Sequence, residues 1–555
     1  MKKVLLLLLY LLVGVCANSQ GNNQQIAVFC KIWGFLKYHH PKVAQGNIDW
    51  DKEFLNRVSA VSGLTTKEET NSYYLNWIKS LGEIKMLKNT KDSIPDVFKK
   101  NHDLHWINDP AIFNKTLRET LNYIFKNRNQ GKNYYTPVKK VVVFKAASPN
   151  YSSELTYKDS IFPSKEMRLL ALGRYWNIIN YFYPYKYAIG KDWGSVLTGM
   201  IPRFQNVRDT LSYQLLILEM AASINDSHSF ITYTPQTFKY FGEKFPVFKY
   251  SIIENQAIVT GFYNDLLRQK DGIQYGDIIL KIDGRPLNDI ILEKGKYFGA
   301  SNYDCKLRDI TVILLNGNTD SAIVTIERNG VIKEQIIHRY RFQYLAEGYY
   351  KKDTGASWKK IDDDIGFVNL GSLNSKDVSK AMKALWNTKA IIFDVRNYPQ
   401  SIYHKLSKYL NSEKEYFANV TQPLINFPGM YVRFKKLHTG KNNARYYKGK
   451  IVLLIDEHTQ SMAELTVMAL QTAPDVITIG NHSAGADGDR REIILPGGYV
   501  VSMSSLGFYY PDGRETQRVG IIPDILVKPT IDGVRQRRDE ILEKAIEVIK
   551  TGLYQ

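Results

Sequence analysis

The stretch Ile451-Val452-Leu453-Leu454-Ile455-Asp456-Glu457-His458-Thr459-Gln460-Ser461-Met462-Ala463-Glu464 decides how the C-terminal part of this chain folds. Its opening apolar run has the continuous hydrophobicity of a sheet strand covered on both faces. Residues 462–472 then read as an amphipathic helix, so Ser461 stands where a buried strand, after a short turn, gives way to a helix. Two readings of Ser461 stay open at this level. It can be an N-cap, with Glu464 completing a Ser-x-x-Glu capping box. It can also be an exposed hydroxyl at the sheet's end, facing helix N–H groups that suit developing negative charge.

Working outward, residues 366–370, 390–395 and 451–455 read as strands and residues 375–385 as a helix, which sets an α/β segment over 355–548. Residues 243–340 have a different texture. Short β-type runs at 257–261, 278–282, 310–315 and 322–327 are separated by turn residues. The segment Gly276-Asp277-Ile278-Ile279-Leu280-Lys281-Ile282-Asp283-Gly284 resembles a strand and turn of PDZ domains, which bind extended peptides at a sheet edge. Upstream, KIWGFLKYHHP is echoed by RYWNIINYFYP: Trp33 and Trp176, Tyr38 and Tyr181, Pro41 and Pro184, Asp49 and Asp192, and Trp50 and Trp193 recur at one offset. A duplicated helical unit is the expectation, with a first copy in 20–150 and a second in 165–240, its aromatics serving as core. The second copy ends in INDSHSF, where Asp226, Ser227 and His228 leave an apolar helix.

At 555 residues and 44% hydrophobic content the chain is too long for one core, and 12% aromatic residues exclude a disordered polymer. The net charge of +19 is spread along the sequence without a nucleic-acid motif, so it reads as a solvated basic surface. Residues 1–19 have the basic start, short apolar run and small residues of a signal peptide cleaved after Ala17 or Ser19, with Cys16 as an alternative lipid-anchoring position. The expectation is an exported, periplasmic or extracellular protein with no integral membrane span. Cys30 and Cys305 lie far apart, and His39, His40 and His458 lack ligand spacing, so neither a disulfide framework nor a metal is expected.

Several motifs together resemble the C-terminal-processing (tail-specific) and tricorn-core-like serine peptidases. The first is Ser461-Met462-Ala463-Glu464, followed by Gly480 and Ala484-Gly485. Asp394-Val395-Arg396-Asn397 is similar to the family's Asp-Leu-Arg-Asn strand end, and Val519-Gly520-Ile521-Ile522-Pro523-Asp524 to its closing Gly-Ile-x-Pro-Asp. The resemblance spans about residues 165–548 and implies a helical region, a PDZ-like β-rich domain and a ClpP/crotonase-like α/β peptidase core. It implies Ser461 as nucleophile, no cofactor and a polypeptide substrate. Ala486 stands where the Ser-Lys branch has its lysine, and no lysine lies between Lys450 and Lys528. Ser227-His228 is similar to the serine-histidine element of the tricorn-like branch, which makes His228 the base and Ser227 its support. That branch's late glutamate is matched in register by Gln517, with Glu515 nearby; Asp487 and Glu464 are alternative supporting carboxylates. Oxyanion donors are expected at the N–H groups of Met462 and Gln400, because the family's Gly pair is replaced by Tyr398-Pro399. Departures at the lysine and the Gly pair also fit a rival reading, an inactive scaffold that binds peptides or C-terminal tails; a basic surface-binding protein is a third.

Overall fold

The apolar run around Leu453 forms the strand Lys450–Ile455, inside a six-stranded sheet. In sheet order the strands are Trp358–Lys360, Ile365–Asn369, Ala390–Asp394, Lys450–Ile455, Val476–Gly480 and Ile525–Leu526. The first pair is antiparallel and every other pair parallel. Parallel strands need crossovers that cover both faces, which explains why these runs are apolar without alternation. Ile392, Val452, Leu454 and Ile479 share one core with Ile541, Ala545 and Val548 of the helix Glu540–Thr551. The alternate residues Ile391, Phe393, Ile451 and Leu453 are buried as deeply. The helix after Ser461 spans Met462–Leu470 and every residue from Ala463 to Leu470 is buried, so it is not the amphipathic helix expected from its sequence. Its polar members Glu464 and Thr466 are enclosed rather than solvated.

The computed structural model describes residues 2–87, 97–141, 146–229, 232–351 and 355–552, without the side chains of 2–20, 97 and 141. The leader expected over 1–19 therefore lies outside the described side chains. Among the described residues no helix is long and apolar enough to cross a membrane. The molecule is a mixed α/β, multidomain protein with several sheets. Its contacts divide it into two units: one is Met1–Met220 with Thr421–Lys435 and Asp489–Gly507, the other Ala221–Val420 with Lys436–Gly488 and Phe508–Gln555.

The second unit also holds an antiparallel sheet of order Lys244–Pro246, Val331–Arg341, Ser321–Arg328, Ile278–Ile282, Gln256–Phe262 and Phe248–Ile253, with Arg285–Pro286 beside Ile278–Ile282. Asp283 and Gly284 both take positive φ, 46° and 77°, as a two-residue hairpin turn of right-handed strands requires. One expected strand is absent. Residues 310–314 belong to the helix Tyr303–Leu314, capped by Leu315, and its buried Leu307, Ile310 and Leu314 recur at helical spacing. The apolar run was short enough to fit either period, and the Asn302 cap, accepting from Cys305 N at 3.0 Å, settles the helix.

In the first unit the sequence echo is a structural echo. Trp33 and Trp50 each donate Nε1–H to the other's carbonyl, at 3.0 and 3.1 Å, and Trp176 and Trp193 repeat the exchange at 2.7 and 3.0 Å. Asp49 and Asp192 cap the helices that begin at Trp50 and Trp193. The helices Lys2–His39 and Lys165–Phe182 meet counterpart to counterpart. A side chain at Gly34 would fall 1.9 Å from Asn177 Oδ1, Cys30 Sγ lies 3.3 Å from where one would begin at Gly173, and the Tyr38 and Tyr181 rings are 5.4 Å apart. Because successive positions meet in the same order, the two helices run parallel about a local pseudo-two-fold.

Candidate active site

Ser461 has φ 58° and ψ −112°, a backbone conformation that a residue with a Cβ adopts only under strain. The surrounding bonds hold it there. Its N–H is shared between Ala486 O at 3.1 Å and Glu464 Oε2 at 3.0 Å, and its carbonyl accepts Leu465 N–H at 3.0 Å, the first turn of the helix. The preceding turn is fixed by Thr459, whose hydroxyl donates to Val395 O at 2.9 Å while accepting Asp456 N–H at 3.1 Å. Ser461 itself stays partly exposed. A strained residue between a parallel strand and a helix N-terminus is the geometry that presents a nucleophilic hydroxyl at a sheet's end.

Glu464 does more than cap. Fully buried, it accepts Ser461 N–H, Ser483 O–H at 2.6 Å, Gly485 N–H at 2.7 Å and Ala486 N–H at 3.0 Å, fastening the serine turn to the loop after Val476–Gly480. Burial raises its pKa against those four donors, which favour the charged form. Asp487 is buried beside it. Burial, followed by the Glu464 charge, pushes its carboxyl well above the usual range, and a hydrogen bond from the Thr516 hydroxyl offsets only part of that. With four donors, Glu464 is the better-stabilised anion of the two, while burial and the Glu464 charge favour the protonated form of Asp487. The loop from Thr516 closes over this pair: a Cβ at Gly520, which has φ 76°, would lie 2.3 Å from Ser483 O, so only glycine permits the approach.

Ser227 and His228 lie in the same unit and reach the serine turn through Gln460, whose Nε2 donates to Ser227 O at 3.3 Å. Ser227 and Ser301 exchange bonds, each backbone N–H donating to the other's hydroxyl at 3.0 and 2.9 Å. His228 is 8% exposed, and its N–H donates to Asp226 Oδ1 at 3.0 Å. Gln517 Nε2 donates to the same carboxylate oxygen at 3.4 Å. Bonds thus run from Ser461 through Glu464 to the 485–486 loop, and from neighbouring Asp487 through the Thr516-Gln517 segment to Asp226 and His228.

The remaining candidates divide. Met462 opens the helix, so its N–H is among the donors no intrahelical carbonyl satisfies. Gln400 is exposed and its side chain bonds Ser375 N and Asn374 Oδ1; among the described hydrogen bonds none joins it to the serine turn. Glu515 is bridged to Tyr509 in a separate β-contact. Two motifs are structural ties: Arg396 joins Asp394 to Asp539, the cap of Glu540–Thr551, and Asp524 pairs with Thr478 through both its N–H and its carboxylate. His458 Nδ1 is 3.4 Å from Asp456; burial opposes its charge, but Asp456 and Glu457 outweigh that and raise its pKa. Ser301, Asn302 and Arg308 were not anticipated. They flank or belong to the helix misread as a strand, and only the Asn302 cap signal could have exposed them.

Residues 364–527 match the model of peptidase family S41. A probable CtpA-like serine protease of Staphylococcus haemolyticus (strain JCSC1435) is 23% identical over 276 residues, 49% of this chain and 50% of that protein, so the chain spans about half the length of this relative. Among solved structures, mature CPAF aligns over 70% of this chain and 99% of its own at 12% identity and TM-score 0.54. Mature CPAF complexed with lactacystin aligns over 69% and 97% at 12% identity and TM-score 0.53. At such identities the likeness is one of fold. Residues 364–527 are therefore similar to peptidase family S41, and the curated relative that this chain matches is a probable serine protease.

Proposed function

We propose that the chain is an exported serine endopeptidase acting on proteins or protein tails, with Ser461 as nucleophile and His228 as base. The observation that carries this reading is Ser461 at φ 58° and ψ −112° between a buried strand and a helix, in bonding contact with the Ser227-His228 segment through Gln460. The match of residues 364–527 to peptidase family S41 supports the reaction class. In the reaction, Ser461 Oγ attacks the scissile carbonyl while His228 takes its proton. The oxyanion is held by the Met462 N–H at the helix start and by the Gln400 N–H. His228 then protonates the leaving amine, and water, activated by the same imidazole, releases the acyl group. Ser227 and Gln517 orient the histidine, Gln517 by hydrogen bonding without charge. Glu464 holds the turn, and Asp487 is the buried carboxyl next to Ala486, which stands where the Ser-Lys branch has its lysine.

The same reading assigns residues 1–19 to a signal peptide, with Cys16 as the alternative anchor, and 20–150 and 165–240 to a duplicated helical region. It makes 243–340 a PDZ-like module that presents peptides and 355–548 a ClpP/crotonase-like core. The antiparallel sheet, in which Phe248–Ile253 is an edge strand among the described residues, supports the module, and the parallel sheet supports the core. Hydrolysis of an unstructured protein tests the reading. Ser461→Ala is expected to abolish it and His228→Ala to lower kcat by about 100-fold or more. Turnover unchanged in Ser461→Ala rejects the nucleophile, and turnover absent from the wild type favours the binding scaffold.

A further inference from the structure

We infer that Arg308 and Gln460 are positioning residues that set the Ser227-His228 segment against the Ser461 turn; this rests on the assignment of Ser461 and His228 above. Arg308 belongs to the helix Tyr303–Leu314 in the β-rich region, yet its guanidinium points at the serine turn. Nη1 donates to Glu457 O at 2.5 Å, Nη2 to Gln460 Oε1 at 3.0 Å, and Nε to Asp309 Oδ1 at 2.7 Å. The Arg308 side chain is 16% exposed, so these bonds are largely shielded from water. A cation on Oε1 fixes which way the Gln460 amide faces. Its Nε2 is then the end that reaches Ser227 O, at 3.3 Å.

Ser227 is held from the other side as well. Its exchange with Ser301 fastens it to the segment that leads into the same helix, and Ser301 O accepts Arg518 Nε–H at 2.8 Å. Arg518 N–H donates to Gly485 O at 3.0 Å, which returns to the loop clamped by Glu464. Asn302, capping the helix, donates Nδ2–H to Ser483 O at 2.9 Å. Elements far apart in sequence thus converge on one peptide, Ser227-His228. Gln460 links that peptide directly to the turn preceding the nucleophile. Arginine suits this place because its planar fork serves the Glu457 carbonyl and the Gln460 amide together, which a lysine ammonium does not.

Gln460→Glu is the decisive variant, because a carboxylate keeps the Arg308 contact but has no N–H for Ser227 O. The full-length chain carrying Gln460→Glu, Arg308→Lys or both is compared with wild type for kcat, KM and the rate of Ser461 labelling by a fluorophosphonate, with melting temperature as a fold control. Each single variant is expected to lose about tenfold or more in kcat and labelling rate with KM within about twofold, since small misplacements of reacting groups cost rate rather than binding. The double variant is expected to be no worse than the poorer single one, because both act through one amide. Wild-type kcat and labelling in Gln460→Glu, or losses that multiply in the double variant, overturn the role of this pair alone. Absence of labelling in the wild type removes the assignment of Ser461 itself, and the positioning role with it.

Discussion

Each unit of this chain buries a cluster of ionisable groups, and the two clusters are composed differently. In the helical unit Lys37, Asp51, Glu154 and Arg174 are all buried, two cations with two carboxylates. Lys37 lies 2.6 Å from Glu154, and Arg174 lies 2.6 Å from Asp51 and 3.2 Å from Glu154. In the other unit Glu464 and Asp487 are two buried carboxyls whose described hydrogen-bond partners are N–H groups and hydroxyls, with no cation among them. A balanced cluster neutralises itself and serves as architecture. An unbalanced one must keep a proton or depend on fixed dipoles, and that state persists where the surrounding structure holds it, beside a strained Ser461.

The largest effect that would test this contrast is on stability. Arg174→Met leaves two buried carboxylates facing one lysine and is expected to cost about 3–5 kcal/mol, measured by denaturant unfolding. Asp487→Asn keeps the Thr516 hydrogen bond and replaces a carboxyl whose protonated form the fold favours, so it is expected to cost far less. Equal losses from the two changes would erase the distinction between the clusters.

A smaller effect appears in the pH dependence. Because the folded pKa of Asp487 is raised, the folded chain keeps a proton that the unfolded chain releases near its ordinary value of about 3.9. The associated stability is complete below that value and is lost as pH rises through the raised folded value. Asp487→Asn is expected to flatten this decline in melting temperature, leaving the acid end close to wild type. An unchanged slope would show that Asp487 is ionised in the folded chain.

Which of these features the sequence disclosed follows from how local their causes are. The strand, turn and helix around Ser461 were legible because a buried run, a turn and a Ser-x-x-Glu signal sit within fourteen successive residues. The helical echo was legible because its tryptophans and capping aspartates repeat at one offset. The clamp role of Glu464 was not, since its further donors Ser483, Gly485 and Ala486 come from another loop. The helix Tyr303–Leu314 was misread because 310–315 fits a strand as well as a helix, and with it went Arg308 and Asn302. Enclosure of Met462–Leu470 on all sides is likewise a tertiary fact that periodicity does not carry.

The smallest effect concerns the echo itself. Trp33→Phe and Trp176→Phe each delete one Nε1–H bond of a reciprocal pair, and each is expected to cost about 1 kcal/mol for the lost buried hydrogen bond. Similar costs for the two would sharpen the picture of a duplicated unit; a loss confined to one copy would mean that only that copy is held by its tryptophan exchange.

The central claim, that the strained serine is the nucleophile, is tested most directly by reacting the full-length protein with a fluorophosphonate and mapping the adduct by peptide mass spectrometry. The account predicts a single adduct on Ser461, formed at a rate that falls sharply in His228→Ala. An adduct on another serine, or hydrolytic activity that survives without modification of Ser461, would contradict it.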